Sequence, residues 1–139
     1  MTYAEKLTLE TEGFCHVVDI SAPVAEATGR SGIAAGLVTV FCPGSTGSIT
    51  TIEYESGVIA DLKRALERLV PQEMAYDHDK RWGDGNGFSH VRAALMKPSL
   101  TVPLVRGELT LGTWQQIVFI NFDNKARQRH VVVQVTGDS

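Results

Sequence analysis

The chain has 139 residues, of which 43% are hydrophobic and 21% charged, with a formal net charge of −3 at pH 7. That length suits one domain over residues 1–139, and the balance is that of an ordinary globular fold. A mildly acidic chain has no bulk attraction for nucleic acid or for an anionic membrane, so any recognition of an anion must be local.

The opening residues, Met1 to Lys6, lack the apolar centre of a signal peptide, and no run approaches the roughly 20 apolar residues of a membrane span. A cytoplasmic protein that spans no membrane is expected. Cys15 and Cys42 lie on separate apolar runs and, in a reducing compartment, read as buried thiols rather than a disulfide.

Lys6 to Thr11 alternates like a half-buried strand, Glu12-Gly13 reads as a turn, and Phe14 to Ile20 resumes the pattern, which predicts a hairpin. Ser21 then caps a short helix with Pro23 just inside its start. Gly36 to Cys42 and Ser48 to Tyr54 are rich in β-branched and aromatic residues and read as strands, joined by the tight loop Pro43-Gly44-Ser45-Thr46-Gly47. Ser56-Gly57 introduces the best helix in the chain. Val58, Ile59, Leu62, Ala65, Leu66 and Leu69 recur at spacings of three and four, and Pro71 stops it. A second helix is predicted from Phe88 to Met96. Pro98 to Val105 reads as a strand with an edge-type Pro103, Arg106-Gly107-Glu108 turns the chain, and Leu109 to Leu111 returns. Trp114 to Phe122 and Arg129 to Thr136 supply the last two strands. The sum is an α+β fold, mainly an antiparallel sheet or sandwich of about seven or eight strands with two or three helices.

Between the two longer helices lies the stretch built for chemistry, Tyr76 to His90, which holds two of the four histidines, three aspartates, an asparagine and three glycines. A polar segment of this length inside a compact domain calls for a functional reason, and Tyr76, Trp82 and Phe88 are expected to pack it down. His78 and His90 are twelve positions apart, too far for one helix face, yet a glycine-bearing loop can bring them together. Imidazole suits zinc and other transition metals, and Asp77, Asp79, Asp84 or Glu53 can complete or orient a ligand set. The plain alternative is a solvated His78 and a His90 that packs on its helix. In the Pro43 to Ser48 loop, backbone amides and the hydroxyls of Ser45 and Thr46 can cradle a phosphate, with Arg127 and Arg129 supplying fixed charge. A tight connecting loop and a solvated basic turn are the alternatives there. Trp114 reads as core or interface packing, and Gln115 or Gln116 can reach a ligand.

The run Ser99-Leu100-Thr101-Val102-Pro103-Leu104, then Gly107-Glu108-Leu109, Leu111-Gly112-Thr113-Trp114-Gln115-Gln116-Ile117 and Val131 to Gly137, resembles the YjbQ-like family, also called secondary thiamine-phosphate synthase. The likeness extends upstream through Thr50 to Glu53, Asp61-Leu62, and His78-Asp79 to Ser89-His90, covering about residues 10 to 138. The resemblance implies a sandwich-like α+β fold, a homotrimer, a bound divalent metal and a poorly defined activity. On that reading His78 and His90 hold the metal, zinc or else magnesium. Glu53 and Asp79 are the catalytic residues, and Ser45, Thr46, Arg127 and Arg129 bind a phosphorylated small-molecule substrate. The expected function is then a metal-binding enzyme with thiamine-phosphate synthase activity, and the alternative is a non-catalytic trimeric metal- or anion-binding protein. One departure stands out. Counting back from Glu53 puts Gly44 where many family members carry a histidine.

Overall fold

The structure, a computed structural model, describes residues 1–139. In chain order it runs β1 (Thr2–Thr11), β2 (His16–Asp19), α1 (Ser21–Arg30), β3 (Ala35–Phe41), β4 (Gly47–Ile52), α2 (Ser56–Leu69), α3 (Asp77–Trp82), α4 (Gly87–Met96), β5 (Ser99–Val105), β6 (Glu108–Leu109), β7 (Gln116–Asn121) and β8 (Arg127–Asp138). The expected α+β architecture is present, with eight strands, all pairings antiparallel, and four helices.

The strands divide into a large sheet of order β1-β8-β3-β5-β6 and a small one of order β2-β7-β4. Alternation explains how they pack. Val38 and Val40 of β3, Val102 and Leu104 of β5, and Val131, Val133 and Val135 of β8 point inward and meet Ile49, Ile117 and Phe119 of the small sheet, with Ile20, Val24 and Ala27 closing one end. The opposite face of the small sheet, Val17, Val118 and Ile120, is covered by Leu66 of α2 and Ala93 of α4. β7 therefore lies between two apolar layers, which is why Ile117 to Asn121 are all buried rather than alternating.

Two sequence expectations are corrected. The first two strand patterns do not pair with each other: β1 pairs along its whole length with β8, and β2 pairs with β7. Phe14 and Cys15 both adopt left-handed backbone (φ 56° and 65°), so the chain crosses between sheets at this point instead of turning back. Helix α2 begins at Ser56 as expected, and its cap is Glu55, whose carboxylate accepts from the N–H groups of Gly57 and Val58 at 2.8 Å. Leu69, counted on the buried stripe of that helix, is 76% exposed. The edge reading of Pro103 holds. Its carbonyl accepts from Thr110 on the β6 side, so its missing N–H falls where no full strand would receive it. No helix is long and apolar enough to cross a membrane.

Candidate functional site

The polar stretch is ordered by a helix its sequence conceals. Asp77 and Asp79 stand in the first turn of α3 and Lys80 and Arg81 in the last, the charge arrangement a helix dipole favours, and Gly83 ends it in left-handed backbone at φ 66°. Tyr76 and Phe88 anchor the stretch, the Tyr76 hydroxyl donating to the Pro71 carbonyl at 2.6 Å. Trp82 does not, being 66% exposed.

This fold sets the His78 and His90 rings 4.5 Å apart, centre to centre. His78 Nδ1 lies 3.3 Å from Asp84 Oδ1 and 3.6 Å from Asp79 Oδ1, and ligand atoms of these three residues all fall within 4.8 Å of one another. The two carboxylates are fixed in turn by backbone, Asp79 Oδ1 accepting from Gly87 N at 2.8 Å and Asp84 Oδ1 from Asn86 N at 3.2 Å. His78 Nδ1 is buried with no hydrogen-bond partner. One imidazole and two carboxylates, pre-oriented and with an orphaned nitrogen, are a donor set that fits a divalent cation.

Beside this group opens a cavity of about 300 Å³ with no apolar side chain in its wall. Ser45 and Thr46 enter it from the start of β4, Asp84, Asn86 and His90 from the α3–α4 region, Asp123 from the end of β7, and Arg127 and Arg129 from β8. Thr46 joins the charges: Arg129 Nη2 donates to its hydroxyl at 2.6 Å, and the hydroxyl lies 3.1 Å from Asp123 Oδ2, to which it donates. Arg129 Nη2 also donates to Asn121 Oδ1 at 2.6 Å, while its Nε has no partner although buried. Sequence reasoning missed Asn86, Asn121 and Asp123.

Gly44 lines an adjoining hollow with Ser45 and His90, so the position where the resemblance implied a histidine borders this cleft. Glu53 does not reach it. It follows the far end of β4, because the strand runs regularly from Gly47 opposite Asn121 to Ile52 opposite Gln116, and it lines a separate groove with Asp19, Tyr54 and Trp114. Trp114 is no core residue, with 74% of its surface exposed. Both neighbouring glutamines are spent on structure: Gln115 bonds Gly112 and Thr51, and Gln116 bonds Tyr54 and Thr113. Both cysteines are free and buried, as expected, and burial pushes each thiol up.

A relative from Methanothermobacter thermautotrophicus, described as a UPF0047 protein, is 38% identical over 135 residues, covering 97% of this chain and 92% of its own. Among solved structures, a protein from Sulfolobus solfataricus described as YbjQ-like and of unknown function superposes with a TM-score of 0.94 at 26% identity over 99% of both chains. A Clostridium acetobutylicum protein, described as uncharacterized and of the yjbq/upf0047 family, gives 0.86 at 33% identity, over 95% of this chain and 99% of its own. These relatives overturn the expected function. They bear a family label or the words unknown function, so neither the thiamine-phosphate synthase and metal-enzyme assignment nor its trimeric binding-protein alternative is carried by them. What they do carry is kinship. The model of the UPF0047, YjbQ-like proteins matches residues 5–138, and the chain belongs to that family.

Proposed function

We propose that the cleft between the α3–α4 region and the open end of β4, β7 and β8 is a divalent-cation site open to a small polar ligand. The observation that supports it is the placement of three atoms. The buried side-chain nitrogens and oxygens without a hydrogen-bond partner are His78 Nδ1, Asp123 Oδ1 and Arg129 Nε, and all three residues belong to this cleft or its edge. Unpaired buried polar atoms are costly, and their concentration at one place points to partners supplied from outside the chain. His78, Asp79 and Asp84 would hold the ion, with His90 beside them, and zinc is favoured over magnesium because a nitrogen ligand is among the donors. A bound ion supplies positive charge that polarises a ligand oxygen. Ser45, Thr46, Arg127 and Arg129 face that ligand from the other wall. No reaction is assigned.

The test is retention of zinc, measured by elemental analysis after dialysis against a metal-free buffer. About one zinc per chain is expected in the wild type, with His78→Ala and Asp84→Asn lowering affinity by about tenfold or more. A wild-type chain that retains none from buffers containing micromolar zinc would end this reading. We also propose that the chain self-associates as a trimer, a reading supported by exposed Leu37, Phe41 and Val105 on the outer face of the large sheet.

A further inference from the structure

Asp123 is 1% exposed, and its two carboxylate oxygens are treated unequally. Oδ2 accepts three hydrogen bonds, from Arg127 Nε at 2.7 Å, Thr46 Oγ1 at 3.1 Å and Asn86 Nδ2 at 3.3 Å. Oδ1 accepts none and is cut off from solvent. Arg129 presents the reverse case, a buried Nε–H with no acceptor. The two residues are close, since the Thr46 hydroxyl bonds both. Two residues that line a cavity without apolar side chains, joined through Thr46, thus hold one unmet acceptor and one unmet donor between them.

A simple anion would satisfy Arg129 and repel Asp123. A cation would do the opposite. What satisfies both is a molecule with an anionic oxygen for Arg129 and, a few bonds away, a proton donor for Asp123. That donor need not be charged, because Arg127 already offsets the Asp123 charge at 2.7 Å. A hydroxyl is sufficient.

We infer that Asp123 is a specificity-determining residue that accepts a hydrogen bond from a hydroxyl of the ligand, so that the cleft selects small hydroxylated organic anions over their deoxy counterparts. The inference rests on reading the cleft as a ligand site, but not on the cation. It goes beyond that reading by giving the ligand a chemical class and Asp123 a part in choosing it.

Tartrate and succinate form the test pair: both are four-carbon dicarboxylates, and only tartrate bears hydroxyls. Titration of protein stripped of divalent ions by a chelating resin, followed by amide chemical shifts, separates this outcome from that of the zinc experiment. Tartrate is expected to bind the wild type at least about tenfold more tightly than succinate, the discrimination expected of one hydrogen bond to a charged group. Asp123→Asn, which turns an acceptor into an amide, is expected to bring the two within about twofold, chiefly by weakening tartrate. The comparison of two ligands on the wild type does not depend on how well the variant folds. Equal affinity for both acids, no saturable response to tartrate, or a preference that survives in a folded Asp123→Asn protein would each overturn the assignment.

Discussion

A carboxylate as buried as Asp123 stays ionised only because its neighbours outweigh the loss of water. Burial pushes its carboxyl up, while the hydrogen bond and charge of Arg127, together with Asn86 and Thr46, bring it below the ordinary aspartate range. With the folded value depressed, the stabilisation is present above the unfolded aspartate pKa of about 3.9 and is lost as pH falls through the folded value. Asp123→Asn is therefore expected to lower the urea midpoint at pH 7, and the gap to the wild type to close as pH drops below about 4. An equal gap at pH 7 and pH 3 would show that the ionised form contributes nothing. For Arg129 burial pulls the guanidinium down, countered by Cys42 and Asp123, and an arginine so placed still carries its charge. None of this was legible in Asp123-Asn124-Lys125, because aspartate and asparagine between two strands are the ordinary residues of a turn. Only the register that buries Asn121 opposite Gly47 and His16 distinguishes these from solvated ones.

At the scale of elements, legibility followed periodicity. The helix from Ser56 was readable because apolar residues recur at its pitch, whereas α3 is polar apart from the exposed Trp82 and is held by charge placement and by Gly83. The junction between α3 and α4 turns on Gly87. A Cβ there would lie 2.6 Å from Tyr76 Cβ and 3.1 Å from Asp79 Oδ1. Tyr76 is buried and cannot yield, so Gly87→Ala forces apart the contact that positions Asp79. The expected result is a loss of about 1–3 kcal/mol in stability from overpacking. Zinc affinity should fall about 10–100-fold with it. Calorimetric melting and zinc titration on the same sample check the two together, and an unaltered zinc affinity would detach Asp79 from the ion. Arg92 shows the opposite kind of element contact. It is 1% exposed and donates through Nε and Nη2 to the Val70 carbonyl, which ties the end of α2 to α4 and leaves it no part in the cleft.

For the whole molecule, strand existence was legible and strand partnership was not, since alternation marks which residues face inward but not which strand lies alongside. The large sheet buries one face against the small sheet and leaves Leu37, Phe41 and Val105 on the other. Light scattering at micromolar concentration is expected to give a mass near three chains, and a mass of 15.1 kDa would mean that this face stays bare. The crossing of strands between sheets has a kinetic consequence. The cleft draws on residues 44–46, 78–90 and 121–129, and β1 meets β8 from Thr2 opposite Thr136 onward, so the ends of the chain must find each other before the large sheet is complete. A topology dominated by such distant pairings folds in about milliseconds to seconds rather than microseconds. The polar cavity, with walls from three distant segments, is complete only once those pairings are made. A ligand of the proposed cleft would therefore act as a latch on the finished fold and not as a seed for it, slowing the exit from the native state while leaving the rate of arrival unchanged.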